Sequence, residues 1–153
     1  EYGGNPRIQY GFGLNINYKK FDLGVFFNGS AMRKIMLTGI HPFGESDYNI
    51  FKFVAKDYWT EANPNPNAAY PRLGLQKANS DNNVVPSTFW MRNGNFLRFK
   101  TLEIGYRFCR YGRIYVTGDN LAVFSPFKEW DPELEWYKYP LQRTFNIGLQ
   151  LNF

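Results

Sequence analysis

Apolar and polar residues alternate one for one along much of this chain. In residues 7–18, Ile8, Tyr10, Phe12, Leu14, Ile16 and Tyr18 take every second position, with Gln9, Gly11, Gly13, Asn15 and Asn17 between them. Successive side chains of a strand point to opposite faces, so this stretch predicts a strand with one apolar and one polar face. Residues 21–30 repeat the pattern, Phe21, Leu23, Val25 and Phe27 against Asp22, Gly24, Phe26 and Asn28, and Lys19-Lys20 joins the two stretches as a hairpin. The clearest alternation is the last, over 142–153: Phe145, Ile147, Leu149, Leu151 and Phe153 against Thr144, Asn146, Gly148, Gln150 and Asn152. A strand at 96–108 alternates cleanly from Leu102 onward and less well upstream. In a further strand at 113–121, Tyr115 and Val116 compete for the apolar face.

Between these five strands the punctuation is uneven. Residues 31–95 carry Asn63 to Asn67 as NPNPN, Tyr70-Pro71-Arg72 and Asn79 to Asn83 as NSDNN, which is loop and turn chemistry. Inside that stretch, residues 50–59 predict a short helix with Phe51, Val54 and Ala55 inward. A second long connection runs over 122–141. If the strands run up and down, the short turns at 19–20 and 110–112 fall on one side and the long connections on the other. Short periplasmic turns and long extracellular loops are the asymmetry of bacterial outer-membrane barrels, and a soluble sandwich has no reason to obey it. The strands also match the roughly 9–11 residues a tilted strand needs to cross a bilayer. Outward Tyr18, Phe21, Phe108 and Phe153 then sit near the periplasmic ends as part of an aromatic girdle. The fold class expected is all-β: an antiparallel transmembrane β-barrel with extracellular loops 31–95 and 122–141. Five strands cannot close in lipid, so the rest of the wall is expected N-terminal to Glu1.

Composition narrows the alternatives. The 153 residues contain 20% aromatics but no apolar run of helical transmembrane length, which excludes a helical membrane protein. Eighteen basic and thirteen acidic residues leave a net charge of +5. The basic residues stand singly or in pairs, such as Lys19-Lys20 and Arg33-Lys34, without the dense patch that nucleic acid needs, so no nucleic-acid partner is expected. Cys109 is the only cysteine and His41 the only histidine, which gives no disulfide, no metal-ligand spacing and no catalytic triad. The carboxylates Glu129, Asp131, Glu133 and Glu135 lack the cleft of a glycosidase and the Gly turn of a calcium loop. They read as a solvated or partner-facing loop. No enzyme, cofactor or metal is expected. Gly11, Gly13 and Gly24 alternate within strands and precede no helix, so they make room in the wall and bind no phosphate.

In chain order the segments YGFGLNINYKKFDLGVFFNG, DYWTEANPNPNAAYPRL, NFLRFKTLEIGYRF and RIYVTGDNL, the tetrad Trp130-Asp131-Pro132-Glu133, and YPLQRTFNIGLQLNF together resemble the C-terminal β-barrel region of the SusC/RagA family of TonB-dependent outer-membrane transporters. The resemblance covers nearly the whole chain. It implies the last strands of a large barrel of about 22 strands, a SusD-like surface lipoprotein as partner, and import of glycans or oligopeptides. Energy would come from the TonB complex through N-terminal parts, plug included, that this chain lacks. It further implies that Phe145, Ile147, Leu149, Leu151 and Phe153 form the signal read by the barrel-assembly machinery, on the face that then meets outer-membrane lipid. Tyr58, Trp59, Trp130 and Trp136 fall in the predicted outer loops, where rings contact ligand or lipoprotein or pack the loops together. Trp90 and Arg92, just before a strand, read as structural. Glu103, Arg107, Asn146 and Gln150 take inward positions. The rival reading is a soluble, secreted carbohydrate-binding β-sandwich that uses the loop tryptophans for stacking.

Overall fold

The computed structural model describes residues 5–37, 50–73, 83, 85–134 and 138–152. It divides into two compact units, one comprising Glu1–Ile35 with Arg92–Phe153 and the other Met36–Met91.

The first unit is built on one antiparallel sheet of five strands: β1 (Ile8–Tyr18), β2 (Phe21–Ala31), β5 (Phe96–Arg107), β6 (Gly112–Phe124) and β7 (Thr144–Leu151), adjacent in that order. Two short strands, β3 (Lys34–Met36) and β4 (Met91–Asn93), pair with each other where the chain passes between units, within a stretch that the sequence reads only as loop. Each long strand pairs with its neighbours in the sheet, so side chains line up in rows. One row crosses all five strands as Ile16, Leu23, Ile104, Val116 and Ile147. The next row, on the opposite face, is Asn15, Gly24, Glu103, Thr117 and Asn146. Register therefore sorts the residues into an apolar face and a polar face over the whole sheet.

The pairing also decides the facing that alternation leaves open in 113–121. Ile114 and Val116 share the apolar rows, and Tyr115 turns to the polar face opposite Gly148. β6 runs on to Phe124, three residues beyond the expected end, and β7 covers Thr144–Leu151 within the expected 142–153.

A bulge interrupts the sheet at one height. On β5, Phe99 pairs with Phe27 and Thr101 with Phe26, so Lys100 has no partner on β2. On the other side the same residue faces both Asn120 and Leu121 of β6, and Asn120 takes a positive φ of 53°. One extra residue reverses the parity of β5. Leu102, Ile104 and Tyr106 occupy the apolar face before the bulge, Leu97 and Phe99 beyond it. The alternation in 96–101 weakens for this reason, not because strand character is lost.

In the second unit a helix, α1 (Lys52–Lys56), buries Val54 completely. The expected inward set is corrected here: Phe51 and Ala55 are exposed, and Phe53 is the half-buried neighbour of Val54. Phe51 is the N-cap residue, with extended backbone (ψ 140°), so it stands off the helix and cannot share a face with Val54. Phe53 packs against Tyr70 at 5.9 Å, and Tyr70 against Trp90 at 6.5 Å, which makes a small aromatic core for this unit. The Trp90 indole N–H donates to the Asn83 carbonyl at 3.0 Å.

Candidate functional site: the two faces of the sheet and the loops

The apolar face is open. Ile8, Tyr10, Phe12, Leu14 and Ile16 of β1 and Phe145, Ile147, Leu149 and Leu151 of β7 are all exposed, Ile147 to 78%. Such a continuous apolar surface is far larger than the scattered hydrophobics that soluble monomers leave in water. Its rings lie in several rows. Tyr18, Phe21 and Tyr106 share the row at the short-turn end. Ile16, Leu23, Ile104, Val116 and Ile147 form the next, and Phe145 shares the row of Leu14, Val25 and Leu102. Beyond it come Phe12, Phe27 and Phe99, then Tyr10 and Phe124. Phe12, Phe27 and Phe99 stack across three strands with centroid spacings of 5.2 and 4.7 Å. Phe145, Ile147, Leu149 and Leu151 all lie on this face, whereas Phe153 lies outside the described residues.

The polar face carries charge in pairs. Arg113 of β6 reaches across β5 to Asp22 of β2, its Nε donating to Asp22 Oδ1 at 3.1 Å and its Nη2 to Asp22 Oδ2. The same Nη2 donates to Glu103 Oε1 at 2.5 Å. The bridge passes directly over Gly105, where any Cβ would collide with both Asp22 and Arg113. These groups edge a concavity of about 680 Å³ that Asn15, Asn17, Arg107 and Gln150 also line. Asn146 shares the face by register. Thus Glu103, Arg107, Asn146 and Gln150 share the polar face of the sheet, joined by Asp22 and Arg113, which alternation alone does not mark as a pair. The available signal was their charge at polar-phase positions of otherwise apolar strands.

A second ionic cluster lies beyond the bulge. Arg98 is 3% exposed; its Nη2 donates to Asp131 Oδ1 at 2.6 Å and its Nε to Glu133 Oε2 at 2.7 Å. The Glu133 amide donates to Asp131 Oδ1 at 3.0 Å, and Arg33 Nη2 to the Glu133 carbonyl at 3.4 Å. Pro132 between them is fully buried. The acidic stretch is therefore not simply solvated or partner-facing. Asp131 and Glu133 pin the β6–β7 connection to the wall, because a buried guanidinium requires carboxylates to compensate it. Among the described residues no group of His, Cys, Asp and Glu is arranged to hold a metal.

The loop aromatics divide between units. Tyr58 and Trp59 belong to the second unit, both half-buried, where the Trp59 amide donates to the Tyr70 carbonyl at 3.0 Å and Tyr58 bridges Tyr70. Trp130 belongs to the first, half-buried, its indole N–H donating to the Lys138 carbonyl at 2.8 Å. Trp136 lies outside the described residues.

No family model matches the chain. Among curated proteins it is 31% identical over 160 residues to the TonB-dependent receptor SusC of Bacteroides thetaiotaomicron, covering 95% of this chain and 15% of that protein. It is 26% identical over 174 residues to the TonB-dependent receptor P26 of Formosa agariphila, covering 97% of this chain and 17% of that protein. The chain thus spans about one-sixth of the length of these relatives. Among solved structures it is similar to the RagAB peptide importer in its closed-closed state, with a TM-score of 0.71, 24% identity, and coverage of 97% of this chain and 17% of that one. The open-open state of the same importer gives 0.69 at 23% identity, with the same coverage. The two-faced sheet and the sequence kinship agree: over nearly its whole length the chain is a relative of one segment of the TonB-dependent receptors SusC and P26, with the fold of the matching segment of the RagAB importer.

Proposed function

We propose that this chain supplies five neighbouring wall strands to an outer-membrane barrel that imports polar nutrients, glycans or oligopeptides, with TonB energy and a SusD-like surface lipoprotein. The observation that carries the reading is the sorting of the sheet into one exposed apolar face and an opposite face that holds its amides, carboxylates and guanidinium groups beside Phe26 and Tyr115. Lipid covers the first, and the second lines the lumen. The 11 residues of β1 extend about 34 Å along the strand. At the tilt usual for such strands this gives an apolar band about 25 Å tall, the height of an outer-membrane hydrocarbon layer. The row of rings at the short-turn end, Tyr18, Phe21 and Tyr106, then meets one interface.

In this reading the free edges of β1 and β7 are paired with further strands of the barrel, because an unpaired edge in lipid leaves backbone groups without partners. The loops at 31–95 and 122–141 lie outside the cell, where Tyr58 and Trp59 of one unit, and separately Trp130 of the other, are available to lipoprotein or substrate. An oligopeptide cargo is favoured by the similarity to a peptide importer. The outward row of β7, Phe145, Ile147, Leu149 and Leu151, is assigned to recognition by the assembly machinery.

Cell fractionation of the full-length receptor tests the reading. It is expected with the outer membrane, migrating on gels in a heat-modifiable, folded form; a soluble periplasmic or secreted product would instead favour the carbohydrate-binding sandwich.

A further inference from the structure

The two short turns form one continuous rim. The Arg107 amide donates to the Lys20 carbonyl at 2.8 Å, so the turn after β1 abuts the turn after β5. Along this rim Lys19, Lys20 and Arg110 are exposed, and so are Tyr18, Phe21 and Tyr111. The Lys19 ammonium lies 5.2 Å from the Tyr18 ring centre and the Arg110 guanidinium 5.7 Å from that of Tyr111. Among the described residues none of the three cations has a carboxylate within ion-pair distance. The acids nearest in the rows, Asp22 and Glu103, are engaged by Arg113 on the polar face. Lys19 moreover holds a φ of 55°, a conformation that glycine or asparagine adopts at lower cost. A lysine kept there points to a use for its side chain.

Basic groups without partners, stacked on rings at the boundary of an apolar band, match one chemistry: phosphate headgroups at a membrane surface, with rings seated where acyl chains begin. We propose that the two turns form a binding surface for anionic phospholipids of the inner leaflet of the outer membrane, with Lys19, Lys20 and Arg110 holding the headgroup phosphate. The inference rests on the barrel reading above and adds a lipid selectivity to it.

The test uses the full-length receptor in phosphatidylcholine vesicles, with spin-labelled phosphatidylglycerol or spin-labelled phosphatidylcholine as probe and the motionally restricted fraction as readout. Wild type is expected to enrich phosphatidylglycerol at least about threefold over phosphatidylcholine. The variant Lys19→Ser, Lys20→Ser, Arg110→Ser brings the ratio to near one, Lys19→Arg, Lys20→Arg, Arg110→Lys retains it, and millimolar inorganic phosphate leaves it unchanged. A serine variant that keeps the wild-type enrichment, or displacement of the lipid by free phosphate, overturns the proposal. Should the triple variant fail to fold, Arg110→Ser alone must lower the ratio, and no change there counts against the site. Heat-modifiable migration separates the two levels: a folded wild type without phosphatidylglycerol preference removes the lipid site only, whereas a wild type that never inserts removes the barrel reading too.

Discussion

The two faces of the sheet share one backbone and solve opposite problems. The apolar face carries only hydrocarbon and rings, and its contacts are between equals: Phe12 on Phe27 on Phe99, Ile16 beside Leu23 beside Ile104. The polar face depends on particular partners. Arg113 needs Asp22 and Glu103, Arg98 needs Asp131 and Glu133, and each guanidinium is held by two acids. An apolar surface demands only that no charge be there, so many sequences satisfy it. A partly buried charged surface demands specific complements, so few do. Substitutions on the apolar face should therefore be costly only when they add charge, and those on the polar face when they remove a partner.

The largest effect is expected from Arg98→Ala, which leaves Asp131 and Glu133 without their cation. Breaking a buried pair costs about 3–5 kcal/mol, read in urea unfolding of the full-length receptor in vesicles, and the β6–β7 connection should become protease-sensitive. Unchanged stability would mean that the cluster does not pin that connection. Next comes a matched pair one row apart on the sheet: Ile104→Lys on the apolar face should cost about 2–4 kcal/mol, Thr117→Lys on the polar face at most about 1 kcal/mol. Equal costs would erase the difference between faces. Gly105→Ala inserts a methyl beneath the Asp22–Arg113 bridge and should cost about 1–2 kcal/mol, with the loss reduced when Arg113→Gln is already present. Phe12→Leu, which removes a stacking partner and keeps the apolar surface, should cost about 0.5–1 kcal/mol.

The same contrast governs what the sequence reveals. The apolar face was legible wherever period two ran unbroken, in β1, β2 and β7, because one apolar and one polar face write themselves into every second residue. The all-β antiparallel class followed from that signal. It failed upstream in β5, where Lys100 reverses the parity, and in β6, where Tyr115 turns inward over Gly148 with the Arg113 guanidinium 4.9 Å from its ring centre. Alternation carries no information about an inserted residue or about which ring finds a gap opposite it. The ionic clusters were hidden for another reason. Arg98 lies 33 and 35 residues from its two acids, and only the path of the β6–β7 connection brings them together, so Asp131 and Glu133 look solvated in the sequence. Short α1 misled at its start: Lys52–Lys56 buries Val54, and Phe51, as the N-cap residue, stays outside. The loop aromatics were legible as rings in loops, but whether each packs or binds depends on backbone partners such as the Tyr70 carbonyl, which no local pattern encodes.

The central claim, that one face of this sheet lies in lipid and the other lines a lumen, is tested most directly by spin labels placed singly along β1, from Tyr10 to Asn17, in the full-length receptor in bilayers. Accessibility to oxygen, which concentrates in hydrocarbon, should peak at 10, 12, 14 and 16 and fall at 11, 13, 15 and 17 with a strict period of two. Uniform accessibility, or oxygen peaks at the odd positions, would contradict the account.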